Sequence, residues 1–314
     1  MNFGILPVDA LPRDQWDDLT DNSFLSSPDF ASIWRVFGGE PAFFIAEENR
    51  ILLAGLAGVT FGPRYLKRFK SMPNSLYGGP FFSPDLGNHA REEFLRLFLV
   101  YLHAHRFIRV DIHNSPDELE SDWLVKNPLT THIIRLDGNK YSPPDPNVLS
   151  DLRRAQKENL KVSILNDESY LDDFHRLVIE TCRRLNIKSR YPKEFYRELL
   201  NLSQKDNRII WPMVQYEGKI IASHIRFIER SQILCWQNYW DRNYRHLNPN
   251  HLLFDYIIKY AQQNQIPEIN LGGSPPGADS LVRFKEAWGG KKEPVSHYFA
   301  TFGLGKLIYG LGLR

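Results

Sequence analysis

Apolar and polar residues alternate along several short stretches in both halves of the chain, which is the pattern of half-buried β-strands. In the first half the stretches "AFFIAEE", "ILLAGLAGVTF" and "RYLKRFKSM" precede a predicted helix near residues 89–105 and a strand, "IRVDI". In the second half three strands are predicted within residues 209–240. A helix with Asn248 as N-cap and Pro249 at its first position follows them, and then the strand "EINL". Both halves therefore have the order meander, helix, strand.

The similarity of the halves extends to individual residues. The segments "VDIHNSP" and "INLGGSP" align with Ser115 on Ser274 and Pro116 on Pro275, an offset of 159 residues. A short helical stretch is predicted after each, around Trp123 and around Phe284, and then a further strand, "HIIRL" or "HYFATF". A match of element order around a residue match indicates an internal duplication.

The order of elements predicts an α/β fold of α+β mixed-sheet type, built as two tandem domains. The expected domains are residues 1–140 and 147–314, because the segment between them, within "LDGNKYSPPDPN", is rich in proline and turn residues. The C-terminal "FGLGKLIYGLGLR" has four glycines, which oppose a stable amphipathic helix. We therefore expect this tail to pack back on the first domain, with at most peripheral membrane contact.

Composition and residue patterns argue against several functional classes. The 39 basic and 37 acidic residues leave a formal charge of +2, so no global field indicates DNA binding. The N-terminus has no secretory signal pattern and the chain has no long apolar run, which favours a cytoplasmic protein. Only two cysteines occur, and His103 and His105 have no carboxylate at a ligand spacing, so no metal site is predicted.

A lysine in "SLVRFKEAWGG" is the first candidate for chemistry. In a helix over residues 280–288, Leu281, Phe284 and Trp288 share one face, and Lys285 lies at the edge of that face. An ammonium beside buried aromatic rings requires an anionic or oxygen-rich partner. Such a fixed cation can stabilise an oxyanion, although a lysine whose stem packs on the rings while its head reaches water is the alternative.

The remaining candidates are possible substrate contacts. Arg153, Arg154 and Lys157 lie within one helical turn and could bind phosphates, or could simply form a solvated basic face. Arg242 and Arg245 precede a helix N-terminus, which is a potential anion site. The loop that carries them contains no glycine, which disfavours acyl-CoA as the donor.

Two neighbouring strands present further polar candidates. His224 lies on the strand "IIASHIRFI", and Asn238 and Trp240 share a face of the next strand. These residues could line a substrate cleft with a base that titrates near neutral pH, but a structural histidine is the favoured interpretation of His224. No general base is assigned.

Four phrases in order resemble the FemABX family of double GNAT-like aminoacyltransferases. They are "FLSSPDFASIW", "KSMPNSLYGGP", "LSDLRRAQKENLKV" and "INLGGSPPGADSLVRFKEAWGG", and together they cover nearly the whole chain. No long helical insertion is present, so the chain resembles the compact members. The resemblance implies a functional lysine at Lys285, with Phe284 beside it, and a substrate contact at Tyr77.

The resemblance also implies an activity. Such a protein takes an amino acid from aminoacyl-tRNA and forms an amide on an amine acceptor, which is a peptidoglycan precursor or a related peptide in cell-wall biosynthesis. No cofactor is then required. Two alternatives stay open: an acyl-CoA-dependent N-acyltransferase of the same fold, and a GNAT-like binding module without catalysis.

Overall fold

The computed structural model of the chain describes residues 2–115, 118–138 and 141–310. Its helices and strands are, in chain order, β1 (Asn2–Leu6), α1 (Arg13–Thr20), α2 (Pro28–Ser32), β2 (Glu40–Glu48), β3 (Ile51–Phe61), β4 (Lys67–Ser71), β5 (Phe81–Phe82), α3 (Asn88–Ala104), β6 (Phe107–Ser115), β7 (Val125–Arg135), α4 (Pro146–Ala155), β8 (Lys161–Ile164), α5 (Leu171–Arg184), α6 (Lys193–Ser203), β9 (Ile209–Ile210), β10 (Pro212–Tyr216), β11 (Lys219–Glu229), β12 (Gln232–Trp240), α7 (Pro249–Gln263), β13 (Glu268–Asn270), α8 (Asp279–Ala287), β14 (Lys291–Thr301) and α9 (Leu304–Gly310). Among the helices of these described ranges, none combines the length and the apolar character that a bilayer crossing requires.

The chain divides into two compact units, each with a mixed sheet. Residues 1–129 and 294–314 form the first unit, and residues 130–293 form the second. The first unit has the strand order β1-β2-β3-β4-β6-β14, in which only β4 and β6 are parallel. The second has the order β7-β13-β12-β11-β10-β8, in which only β12 and β13 are parallel. The predicted mixed α/β fold class is confirmed.

The last strand of each unit comes from the other half of the sequence. In the first unit β14 pairs with β6, and in the second unit Ile133–Arg135 of β7 pair with β13. The units therefore differ from the expected sequence-continuous domains 1–140 and 147–314. Without such a partner, the outer edges of β6 and β13 would expose unpaired backbone groups. A segment distant in the sequence pairs with each of them, β14 with β6 and β7 with β13. Residues 139–140 of the expected linker lie outside the described residues, as does Pro116 of the repeat.

The C-terminal stretch lies against the first unit as far as it is described. The backbone N–H of Phe302 donates to Ile108 O at 3.0 Å. At Gly305 a Cβ atom would lie only 1.9 Å from Ile108 O, so this close approach requires glycine. Residues 311–314 lie outside the described residues.

The segment around Trp123 forms a turn and not the expected helix. The N–H of Leu124 donates to Ser121 O at 3.1 Å, and the chain then enters β7. Trp123 is 44% exposed and Val125 is 54% exposed. A single helical turn is marginal unless packing supports it, and Trp123 and Val125 contribute little buried surface.

One amphipathic helix covers a face of the sheet in each unit. The buried residues of α3 recur at helical spacing and pack on the strands of the first unit; they are Phe94, Leu95, Phe98, Leu99 and Leu102. In the second unit, residues of α7 pack on β12, β13 and the residue that follows α8; they are Phe254, Ile257, Ile258 and Ala261. These helices fix the strand ends that carry the polar residues described below.

Candidate functional site

Lys285 is the buried residue of α8, with only 4% of its surface exposed. Its Nζ donates to the carbonyl oxygens of Gly272 and Gly273, both at 2.8 Å, and to Ser274 Oγ at 3.0 Å. An ammonium has three protons to donate, and all three are bonded. The oxygen-rich partner expected from the sequence is therefore the backbone turn that follows β13, and Lys285 lies deeper than the edge position predicted for it.

Two sequence features hold this turn in place. Gly272 has a φ of +73°, and its N–H donates to Asn270 Oδ1 at 2.9 Å, which also accepts from Thr131 Oγ1 at 2.6 Å. A Cβ atom at Gly290 would lie 2.9 Å from Lys285 O. The glycines thus let the turn and the end of α8 approach closely enough for Lys285 to reach the carbonyl groups.

Burial lowers the pKa of Lys285 to about 8. No carboxylate among the described residues forms an ion pair with it. Phe284, the next residue of α8, lies with its ring centroid 5.1 Å from that of Phe254, and Trp288 stacks on Phe254 at 5.4 Å. Lys285 is therefore a compact cation in an apolar surrounding, where a charge that develops nearby interacts strongly.

A buried arginine organises the neighbouring strands β11 and β12. Arg226 is fully buried, and its Nη2 donates to Asn238 Oδ1 and to His224 Nδ1, both at 2.6 Å. Its Nη1 donates to the carbonyl oxygens of Ile225 and Gln237 at 3.1 Å. The register shifts between Ile225 and Arg226, so Arg226 satisfies carbonyl groups at a β-bulge, a feature common beside active sites.

The arginine also fixes the state of His224. A guanidinium can only donate, so His224 Nδ1 accepts, and Nε2 carries the proton that it shares with Asn250 Oδ1 at 3.0 Å. Burial first, and then the charge of Arg226, hold the pKa of His224 well below its ordinary value. Both ring nitrogens are thus engaged by protein groups, as expected of a structural histidine.

The lysine turn and the arginine network are adjacent in the second unit. Cys235 pairs with Arg226 in the sheet, and its carbonyl oxygen lies 3.5 Å from the position of a Cβ at Gly272. Burial raises the pKa of the Cys235 thiol, and the charges of Arg226 and Lys285 oppose this rise. Phe254 contacts both the His224 ring, at 5.5 Å, and Phe284. The structure therefore brings together Lys285, Phe284, His224 and Asn238.

The other predicted site residues belong to other elements. Trp240 is held at the end of β12, where the Arg184 guanidinium lies 4.7 Å from its ring. Tyr77 belongs to the first unit, where its hydroxyl donates to Pro80 O at 2.7 Å. The remaining candidates are exposed basic residues of α4, of the turn that follows it and of the turn before α7, namely Arg153, Arg154, Lys157, Arg242 and Arg245.

One buried histidine beside the turn was not found from the sequence. His132 of β7 is 1% exposed, and neither ring nitrogen has a hydrogen-bond partner among the described residues. Its carbonyl oxygen accepts from Leu271 N at 2.7 Å, directly before the lysine turn. Burial first, and then the charge of Lys285, lower the pKa of His132. Nothing in "HIIRL" indicates that His132 lies beside the lysine turn, because Lys285 is far from it in the sequence.

Comparison with known proteins shows which fold the chain has. Residues 147–286 match the model of the acetyltransferase (GNAT) domain. A crystal structure of FemX matches with a TM-score of 0.70 and 12% identity, with 100% of both chains covered. The chain has a FemX-like tandem GNAT fold. Among curated proteins, none matches the sequence significantly.

Two further structures share the FemX-like fold at low identity. The structure of L-PGS from Bacillus licheniformis matches with a TM-score of 0.60 and 12% identity, covering 98% of this chain and 96% of that one. A tandem GNAT protein from the clavulanic acid biosynthesis pathway matches with a TM-score of 0.53 and 10% identity, covering 96% and 98%. At such identities the likeness concerns the fold, and the chemistry has to be argued from the residues of this chain.

Proposed function

We propose that the protein is an aminoacyltransferase. It forms an amide bond between an amino acid carried by tRNA and an amine acceptor, which is a peptidoglycan precursor or a related peptide. The observation that carries the proposal is the buried ammonium of Lys285, which is held by the Gly272–Ser274 turn and has no carboxylate partner in the described part of the chain. The FemX-like fold supports the same reaction class.

The chemistry of amide formation explains the use of such a cation. The neutral amine attacks the ester carbonyl carbon, the C–N bond forms, and the carbonyl oxygen becomes an oxyanion. The C–O bond to the tRNA ribose then breaks, and the proton lost by the amine passes to the leaving oxygen. Lys285 stabilises the oxyanion by exchanging its bond to Ser274 Oγ, the longest of its three, for a bond to the substrate.

The exposed basic residues are assigned to binding. Arg153 on α4, Lys157 in the turn that follows α4, and Arg242 and Arg245 before α7 are exposed. Cations in such positions bind phosphates through salt-dependent contacts. We assign them to the tRNA or to a nucleotide-linked acceptor.

Acyl-CoA is the disfavoured donor. The turn Arg242–Leu247 before α7 contains no glycine, and Pro249 removes one N–H group from the N-terminus of that helix. Fewer backbone N–H groups are then free to surround a pyrophosphate. Acyl-CoA-dependent transfer and a non-catalytic binding module remain the competing functions.

A label-transfer assay separates the three functions. The purified protein is incubated with tRNAs charged with radiolabelled amino acids and with amine-bearing cell-wall precursors, and in parallel with labelled acetyl-CoA and the same acceptors. We expect label in the acceptor only from aminoacyl-tRNA. Transfer only from acetyl-CoA would overturn the proposed donor, and binding of charged tRNA without transfer from either donor would indicate the non-catalytic module.

A further inference from the structure

Three potential metal ligands meet in the first unit, whereas the Lys285 turn belongs to the second. Asp111 and His113 are two residues apart on β6, and His297 lies on the paired strand β14. Residues at this spacing on a strand point to the same face. One ligand atom from each of the three lies within 4.8 Å of the other two.

Hydrogen bonding and ring stacking orient these side chains, but the ring nitrogens of His113 are not hydrogen-bonded to the described residues. Asp111 Oδ1 accepts from His297 Nε2 at 2.9 Å, and the ring of His113 stacks on that of His297 with centroids 4.6 Å apart. The ring nitrogens of His113 form no hydrogen bond with the described residues, and the ring is only partly buried. A partly buried imidazole without a hydrogen bond to the described residues thus lies beside an oriented carboxylate and a second imidazole.

Two cations next to the cluster work against a bound dication. The Arg109 guanidinium donates to both carboxylate oxygens of Asp111, at 2.8 and 2.7 Å, and Lys70 pairs with Asp111 in the sheet. A carboxylate has about four lone-pair sites, so Arg109 does not occupy all of them. Hydrogen bonds to a ligating carboxylate also orient it for a metal. The cations therefore weaken the site without filling it.

We propose that Asp111, His113 and His297 form a binding site for a late first-row divalent cation, Zn²⁺ in particular. This donor set of two imidazoles and one carboxylate favours zinc over magnesium or calcium. Ligands about 2.1 Å from a tetrahedral ion lie about 3.4 Å from one another. Changes in side-chain torsion angles reach this spacing from the present one, while the His297 ring proton moves from Nε2 to Nδ1.

The inference goes beyond the proposed transfer reaction and departs from the sequence analysis, which expected no metal site. Sequence spacing could not reveal the site, because His297 follows His113 by most of the chain. Three protein ligands would leave at least one coordination position for water or for an oxygen of a ligand. The ion would also join β6 to β14, so it should stabilise the first unit.

Isothermal titration calorimetry with Zn²⁺, and the visible spectrum with Co²⁺ as a probe, test the site on the full chain. We expect one ion per chain with a micromolar dissociation constant. His113→Ala and His297→Ala should each weaken binding by more than about 100-fold, since loss of a supporting partner alone costs about 10- to 100-fold. Arg109→Gln should tighten binding by at least about tenfold, because it removes a positive charge next to the ion.

His103→Ala is the matched control, since His103 lies in the same unit and outside the cluster. Its affinity for zinc should equal that of the wild type. Absence of binding at millimolar Zn²⁺ by the folded wild type would overturn the proposal. So would binding that survives both His113→Ala and His297→Ala, because the ion would then lie elsewhere. Circular dichroism of each variant confirms that a loss of binding is not a loss of fold.

Discussion

Strands β6 and β13 follow the covering helix in their respective units, yet they present different chemistry at matching positions. With the 159-residue offset, Asp111 of the first unit corresponds to Asn270 of the second, and His113 corresponds to Gly272. Asp111 binds a guanidinium and a histidine, whereas Asn270 accepts from the N–H of Gly272 and from Thr131. The same fold position holds an ion pair in one unit and shapes a turn in the other.

The difference shows which residue permits a buried lysine. In the second unit, glycine at position 272 lets the backbone turn so that its carbonyl oxygen meets Lys285. In the first unit, a histidine occupies the corresponding position, and the lysine at the corresponding offset, Lys126, has a largely exposed side chain paired with Glu118 at 2.6 Å. The two units therefore share the order of their layers and differ in chemistry at a few positions.

The largest effect should come from removing the buried lysine. Lys285→Ala should lower kcat for amide formation by about 100- to 1,000-fold, the usual loss for one oxyanion donor. Lys126→Ala, its counterpart in the first unit, should leave kcat within about twofold, since an exposed ion pair is worth little. Steady-state rates of both variants, with folding checked by circular dichroism, measure the contrast, and equal effects would remove the distinction between the units.

The next effect concerns the ion pair of the first unit. Asp111→Asn places there the residue that the second unit has, and it leaves Arg109 partly buried without a carboxylate. We expect a loss of about 3 kcal/mol in the free energy of unfolding, measured in urea. Glu268→Gln is the control, because its partner Arg135 is 55% exposed, and it should cost less than about 1 kcal/mol. A cost for Asp111→Asn as small as that of the control would show that the Arg109 pair is not structurally important.

A pH profile tests whether the charge of Lys285 acts in the reaction. The active form of Lys285 is the charged form, and its pKa is lowered to about 8, so the ratio of wild-type kcat to that of Lys285→Arg should be constant below that pH and fall above it. The expected slope is about tenfold per pH unit. A guanidinium does not titrate in this range, so the small residual rate of Lys285→Arg should lack the decline. A decline that persists in Lys285→Arg would assign it to another group.

The smallest effects should come from the exposed basic residues. Arg153→Ala should weaken binding of charged tRNA only about two- to fivefold at low salt, and the difference should shrink as salt rises. Arg283→Ala, on the exposed side of α8, serves as the control for a general loss of positive charge. Filter binding at two salt concentrations compares them, and a salt-independent loss for Arg153 would contradict a phosphate contact.

The hydrophobic pattern was sufficient to predict most strands and helices of the layers, because the periodicities of strands and helices are local properties of the sequence. The strands β2, β3, β10, β11 and β12 and the helices α3 and α7 lie where the pattern predicts them. The sequence did not predict that β7 joins the sheet of the second unit and β14 that of the first, because each strand directly continues its own half of the sequence. Only pairing across long separations, such as Ile134 with Ile269, decides which edge a strand joins.

For the site, the sequence indicated Lys285 and its need for oxygen atoms, because an ammonium next to Phe284 and Trp288 is costly alone. It could not indicate which oxygens, since these belong to a turn whose shape depends on Gly272. His132 became visible as part of the site only in three dimensions. Its surroundings are built by residues of several strands, which no spacing along the chain encodes.

The account rests on the second unit holding a buried ammonium where the first holds an exposed one. NMR titration of the protein with ¹³C,¹⁵N-labelled lysine, assigned through Lys285→Arg and Lys126→Arg, measures both side chains without a substrate. Lys285 should titrate with a pKa of about 8, because burial disfavours its charged form. Lys126 should titrate above its ordinary value, because Glu118 accepts a hydrogen bond from it. A Lys285 that titrates near 10.5, as an exposed lysine does, would contradict the account.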